Sequence, residues 1–180
     1  MIYFIIAAVV ILADLLSKVI VAGSIEFGRE IPVVSGVLNI TNVSNDGIAF
    51  GMMDNARWLF MLVTFVMMVF IAFFIIKVKG YTKMVYVTAA VIFGGGMGNL
   101  IDRIFCLGKY DLGKAVVDFI DFCAFPDIWR YTFNVADIAV CVGAGLFILY
   151  LLAFDKKAYK NGFKAVLYEE KKPEKDVADE

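Results

Sequence analysis

The sequence predicts a mainly α-helical membrane protein: four transmembrane helices, a small extracytoplasmic β-sheet and a short interfacial segment, with both termini cytoplasmic. Three observations carry this prediction. First, 62% of the 180 residues are hydrophobic, whereas soluble domains sit nearer half, and mean hydropathy is +0.82. Second, the apolar excess arrives in four runs, each close to the about 20 residues that a bilayer core requires. Third, the lysines between and after these runs are segregated to one side.

The first run, 2–22, reads IYFIIAAVVILADLLSKVIVA. It lacks the basic start and small-residue cleavage site of a secretory leader, so a retained helix is expected. The second run, 58–76, carries no charge. The third, 84–105, is apolar until Asn99 and then carries Asp102 and Arg103. The fourth, 133–154, is apolar apart from Asn134 and Asp137.

The connections set the orientation. KVKGYTK, between the second and third runs, holds Lys77, Lys79 and Lys83 and no acid. The tail, 155–180, holds Lys156, Lys157, Lys160, Lys164, Lys171, Lys172 and Lys175. With four spans these two segments share a side, and the positive-inside rule makes it cytoplasmic. Segments 23–57 and 106–132 then face outward. The first contains IPVVSGVLNITNV, β-branched residues broken by Pro32, Ser35 and Gly36, which predicts short strands at the outer surface. The second, with Gly108, Gly113 and Pro126, is expected to be a loop. Its aromatic-rich part, 116–129, suits the membrane interface. Residues 1–154 read as a single membrane domain. The tail reads as solvated, although AYKNGFKAVLYEEKK also fits a short amphipathic helix on the inner leaflet.

Composition also narrows the chemistry. There is no histidine, so imidazole-based nucleophilic catalysis and His metal ligation are excluded. Cys106, Cys123 and Cys141 lack CxxC spacing and are odd in number, and they read as inert thiols. The net charge of −1 gives no footing for a nucleic-acid partner, and none is expected. Catalysis, if any, must use carboxylates, hydroxyls, lysine or a thiol without an imidazole.

Several polar residues stand inside the apolar runs. Asp14 and Lys18 are i and i+4, on one helix face, where they can pair. The plainer reading is a structural pair that snorkels or ties the first helix to its neighbours. In GGGMGNLIDR, Gly94, Gly95, Gly96 and Gly98 permit close helix packing. The run lacks the lysine and strand-loop-helix setting of a phosphate loop. Asn99, Asp102 and Arg103 are spaced to share a face.

The stretches AVVDFIDF and FNVADIAV each set an aspartate, Asp118 and Asp137, among apolar residues. Asp118 lies beyond the third run; Asp137 lies one turn into the fourth, with Asn134 at i−3 expected on the same face. An acid in a span is a functional hypothesis by default, the plainer reading being a hydrogen-bonded structural carboxylate. Asp121 and Asp127 read as solvated loop acids. Should Asp118 and Asp137 converge, both cannot ionise easily, so one holds a proton. Such a pair suits peptide hydrolysis: the ionised member takes a proton from water, and the protonated member polarises the carbonyl. Neither metal nor cofactor is required.

These residues resemble the lipoprotein signal peptidases (signal peptidase II), intramembrane aspartic proteases of bacteria. The likeness covers about 2–154 and rests on ADLLSK, NDGIAFG, GGGMGNLIDR, VVDF and FNVAD in that order. Each motif is weak alone; five in order on four spans are specific. The resemblance implies cleavage of signal peptides from diacylglyceryl-modified prolipoproteins, just before the lipid-bearing cysteine, in the bacterial cell membrane. It places the catalytic pair at Asp118 and Asp137. Asn99, Arg103 and Asn134 would support the pair or hold substrate, and Asn45 and Gly47 would lie on the outward sheet near it. Asp14 and Lys18 would hold the architecture, and Asp102 would be structural or supporting. The substrate's diacylglyceryl chains would remain among membrane lipids, and globomycin, a cyclic peptide, would inhibit by presenting a hydroxyl between the aspartates. Two other readings stand beside this one. A proton-coupled transporter would also use buried acids, but no inverted repeat or broken-helix pair is visible. A scaffold would use the acids only to hold helices together.

Overall fold

The computed structural model describes residues 1–45, 57–78, 82–105, 116–125 and 131–161. Gly47, Lys79, Cys106, Gly108, Gly113, Pro126, Asp127 and residues 162–180 lie outside the described residues. The elements run α1 (Ile2–Ser24), β1 (Glu30–Val34), β2 (Leu38–Asn45), α2 (Arg57–Lys77), α3 (Lys83–Phe105), β3 (Val116–Phe122), β4 (Thr132–Phe133) and α4 (Val135–Asn161). Among the described residues, three stretches are long and apolar enough to cross a membrane: Ile2–Ser24, Lys83–Phe105 and Val135–Leu152. In α2 the apolar stretch Met61–Lys77 is shorter.

The exposure pattern is the reverse of a water-soluble protein. Large side chains such as Leu16, Ile20, Phe70, Leu149 and Leu152 are exposed on the helices, while Asp14, Lys18 and Asp102 are buried. Only an apolar solvent makes that arrangement favourable, so the chain is a multi-pass membrane protein.

Helix α3 packs against each of the other three helices. Its glycines make this possible, because successive residues point about 100° apart. A Cβ on Gly94 would meet Ala7 O and Val10 of α1, and one on Gly98 would meet Asp14 of α1. A Cβ on Gly95 would lie 2.5 Å from Ala136 O of α4, and one on Gly96 the same distance from Met68 Sδ of α2. Four glycines thus serve three interfaces, the close approach that small residues allow between membrane helices.

The sheet is antiparallel throughout, in the order β1-β2-β3-β4. A Val37 N–H to Val34 O bond closes the β1–β2 turn, with Gly36 at φ 71°, a conformation that favours glycine. Pro32 is tolerated because β1 is an edge strand. In the β2–β3 pairing, Val43 stands opposite Asp118 and Asn45 opposite Val116. An irregularity between Ile40 and Val43 breaks the alternation of β2, so that consecutive Thr41 and Asn42 are both buried. Val117 and Phe119 pack on Val21 near the end of α1, with Ile25, Ile40 and Val135 around them.

Two expectations are corrected here. The segment 106–132 is not simply a loop with an interfacial stretch: 116–122 forms β3, a central strand buried on both faces over its first four residues. Apolar residues flanking Asp118 resembled an interfacial run because a two-face-buried strand shows no alternation. The fourth helix begins at Val135 rather than 133, since Phe133 belongs to β4, and it continues beyond the expected span to Asn161.

Candidate active site

The polar residues singled out in the sequence gather where α1 and α3 end, α4 begins and β3 crosses. Each is delivered by a different local cause. Asp118 sits on β3, 1% exposed, with both oxygens used. Oδ1 accepts from Asn134 Nδ2 at 2.6 Å, and Oδ2 accepts from Asn45 Nδ2 at 2.6 Å. Strand pairing explains Asn45, which stands two residues along β2 from the partner of Asp118.

Asn134 and Asp137 form a reciprocal cap on α4. Asn134 Oδ1 accepts the Asp137 N–H at 2.9 Å, and Asp137 Oδ2 accepts the Asn134 N–H at 3.2 Å. This is the capping-box arrangement with Asn and Asp in place of Ser/Thr and Glu. The expectation that Asn134 shares a helix face with Asp137 is therefore corrected: Asn134 precedes the helix and caps it. The spacing of three was the right signal, but of a cap.

Asn99 of α3 joins the two aspartates' environments. Its Nδ2 donates to Asp137 Oδ1 at 2.8 Å. Its Oδ1 accepts from Asn134 Nδ2 at 3.1 Å and from Lys18 Nζ at 2.8 Å. Lys18 also pairs with Asp14 Oδ2 and Asp102 Oδ2, each at 2.7 Å. The ammonium donates hydrogen bonds to Asp14 Oδ2 and Asn99 Oδ1 and ion-pairs with Asp102. Lys18 is 3% exposed and does not snorkel; it ties α1 to α3. Asp102 faces this ion-paired cluster. Arg103 donates from Nη1 to the Asn99 carbonyl one turn back, at 3.2 Å.

Asp14 has a second task that the sequence did not reveal. Its Oδ1 accepts the N–H of Ala136, in the first turn of α4, at 2.9 Å. A carboxylate from α1 thus satisfies an orphan donor of α4 and faces its positive end. Asn42 was also missed. It is fully buried, and its Nδ2 donates to Ile25 O at 2.7 Å, fixing the chain as it leaves α1. Its only sequence signal was an asparagine within a β-branched run. Asp121 lies on β3 rather than in a loop, and accepts from Asn39 Nδ2 at 3.2 Å.

The electrostatics of Asp118 follow from its place. Burial pushes its carboxyl up, to about 6 from an ordinary 3.8. The Asn45 hydrogen bond opposes the rise, the charge of Asp137 adds to it, and Asn134 and Lys18 oppose it in turn. The structure therefore brings Asp118, Asp137, Asn45, Asn99 and Asn134 into one hydrogen-bonded network. Lys18, Asp14 and Asp102 form an ion-paired cluster joined to it through Asn99. Gly47 lies outside the described residues. Two acids held close by amides, one with a raised affinity for its proton, can do general acid–base chemistry.

Comparison with known proteins bears on the family and the fold. The family model described as signal peptidase (SPase) II matches residues 6–153. A bacterial membrane enzyme solved by the in meso method at 1.9 Å resolution is 31% identical, with a TM-score of 0.72, over 83% of this chain and 92% of that one. A second bacterial membrane enzyme structure, at 2.3 Å resolution, is 30% identical, also with a TM-score of 0.72, over 94% of this chain and 93% of that one. A match over most of the chain, carried on a shared membrane fold, is a family relationship: the protein belongs to the signal peptidase II family of membrane proteases.

Proposed function

We propose that this chain is an intramembrane aspartic endopeptidase. It removes signal peptides from diacylglyceryl-modified prolipoproteins, cutting just before the lipidated cysteine. Asp118 and Asp137 are its catalytic pair. One observation carries the reading: acids from a strand and from a helix start, distant in sequence, share one asparagine network, and Asp118 holds its proton up to about 6.

The chemistry follows from one ionised and one protonated carboxyl. The ionised member takes a proton from water as its oxygen attacks the scissile carbonyl carbon. The protonated member gives its proton to the carbonyl oxygen, forming a neutral tetrahedral diol. Collapse returns the carbonyl, breaks the C–N bond and protonates the departing cysteine amine. Asn99, Asn134 and Asn45 hold the carboxylates in register, and Arg103 belongs to the substrate side. Four spans with both termini cytoplasmic put the pair toward the extracytoplasmic face of the bacterial cell membrane. The substrate enters sideways from the bilayer with its acyl chains still in lipid, which positions the bond to be cut. Globomycin-type cyclic peptides would block the pair with a hydroxyl that imitates the diol.

The test uses purified wild type, Asp118→Asn and Asp137→Asn in detergent. Each meets a diacylglyceryl-modified prolipoprotein and, separately, its unlipidated precursor. Mass spectrometry locates the cut. The expected result is cleavage before the cysteine of the lipidated substrate only, lost in both folded variants. Turnover surviving in either variant removes that residue from the pair.

A further inference from the structure

We propose that α2 is a gate: it swings away from α3 about the end remote from the aspartates, and the gap it widens beside α4 is where a membrane-embedded peptide reaches them. The inference rests on the reading of Asp118 and Asp137 as the catalytic pair, and names the wall of their site that moves.

The period of α3 shows which flank the site faces. Gly95 faces α4, where a Cβ would meet Ala136 O, and Gly96 faces α2, where a Cβ would meet Met68. Asn99 follows Gly95 by four residues and Gly96 by three. It therefore points between them, about 40° from the first and about 60° from the second. Arg103, a turn further on, falls in the same sector. Asn99 bonds Asp137 of α4. The opposite flank is shut, because α1 packs on α4 and its Asp14 accepts the Ala136 N–H. The site-bearing face of α3 thus looks into the gap between α4 and α2.

The neighbours of α3 are held in different ways. Lys18 ties α1 to Asn99 and Asp102, and Asp137 ties α4 to Asn99. By contrast α2 meets α3 along a narrow seam: among the described residues its buried side chains are Met61, Met68 and Ile75, each seven after the last. Membrane helices associate through packing and interhelical hydrogen bonds, without a hydrophobic drive. Parting α1 or α4 from α3 strands polar groups in hydrocarbon, whereas parting the seam exchanges thioether and alkyl contacts for lipid. The end of α2 remote from the aspartates is clamped. Phe74 lies 5.7 Å from the Tyr86 ring of α3, and Tyr86 stacks on Tyr3 of α1 at 5.1 Å. The Tyr86 hydroxyl donates to Val78 O, just past α2, at 3.0 Å. A helix clamped at one end and seated elsewhere on flexible methionines has a hinge. From Phe74 to Met61 is about 20 Å of helix, so a swing of about 20° moves Met61 by about 7 Å. An extended chain needs about 5 Å beside its neighbour.

A reversible cross-link tests the gate. Met68→Cys and Gly96→Cys are placed together in the full chain carrying Cys106→Ser, Cys123→Ser and Cys141→Ser, in lipid nanodiscs with a diacylglyceryl-modified prolipoprotein. Met68→Cys removes the thioether that a Cβ at position 96 would strike. Oxidation then fastens α2 to α3 beyond the hinge. Turnover should fall about tenfold or more on oxidation and return on reduction. The matching bridge between α1 and α3, Val10→Cys with Gly94→Cys, should leave turnover within about threefold. An oxidised α2–α3 bridge that cleaves as fast as the reduced protein overturns the proposal. Equal losses in both bridges also overturn it, since rigidity anywhere would then suffice. If the cysteine pairs do not fold, a distance measurement decides. Spin labels go on Leu16→Cys with Leu62→Cys near the aspartates, and on Ile5→Cys with Ile76→Cys at the clamped end, all exposed positions. Saturating lipidated substrate, added to an Asp137→Asn chain, should lengthen the first distance by about 5 Å or more and leave the second unchanged. No change in either, or the same change in both, overturns the gate. Wild type runs beside these. Its failure to cleave removes the peptidase reading; cleavage by wild type and by the oxidised α2–α3 bridge alike removes only the gate.

Discussion

Asp118→Asn carries a stability signature whose size follows from the site. In the folded protein Asp118 keeps its proton up to about 6; unfolded, it ionises near 3.8. Between these values the folded state binds more protons than the unfolded state. Stability contributed by Asp118 is therefore greatest below the lower value, falls as pH rises, and is fully lost above the upper one. At about 1.4 kcal/mol per pH unit, the ionised carboxylate costs about 3 kcal/mol at pH 8. An asparagine carries no charge at either pH. It has a single acceptor where Asp118 uses two, against Asn45 and Asn134, and that lost bond costs about 1–3 kcal/mol at all pH. The absolute stability of the variant mixes both effects, but its pH dependence isolates the first. Relative to wild type, Asp118→Asn should gain about 3 kcal/mol between pH 2 and pH 8. Equilibrium unfolding in mixed detergent micelles across that range reads the difference directly. As a melting temperature the swing is about 6–12 °C for a chain of this size. A difference that is flat with pH would falsify the raised proton affinity. A slope of opposite sign would mean that the asparagine amides outweigh burial and hold Asp118 ionised.

Two further outcomes are expected. Gly98→Ala would place a Cβ 2.6 Å from Asp14 Oδ2, a carboxylate already anchored by Lys18 and the Ala136 N–H. It should lose about 1–3 kcal/mol in detergent unfolding, whereas Gly145→Ala, which meets open space, should be neutral or slightly stabilising. Equal stabilities for the two variants would sink the packing argument. Lys18→Met leaves Asp14 and Asp102 buried without their cation and should lose about 3–5 kcal/mol. Adding Asp14→Asn should restore part of that loss, and no restoration would mean that the ion pair is not what Lys18 contributes to stability.

Much of this protein was legible because a membrane makes strong demands on sequence. A bilayer core admits only long apolar helices, so the runs at 2–22, 84–105 and 133–154 announced themselves, and the polar residues within them stood out. Asp14, Lys18, Asn99, Asp102, Asn134 and Asp137 were all identifiable as exceptions to that rule. Spacing went further for Asp14 and Lys18, whose separation of four gives the 2.7 Å pair on one helix face. It misled for Asn134, because a separation of three also describes a helix cap. The strand at 116–122 was hidden for a related reason. Burial on both faces erases the alternation by which strands are recognised, and its pairing with β2 joins segments far apart in the chain.

The sequence by itself determined the solvent, the helices and the kinds of side chain available for chemistry, because hydropathy and composition act locally. The tertiary structure alone decided their relations. It put Asn45 on Asp118, turned Asp14 onto the first turn of α4, and aimed Lys18 at Asn99 rather than at the membrane surface. Those contacts join residues tens of positions apart. They exist only once α3's glycines let three helices close around it, and no local property of the chain encodes that geometry.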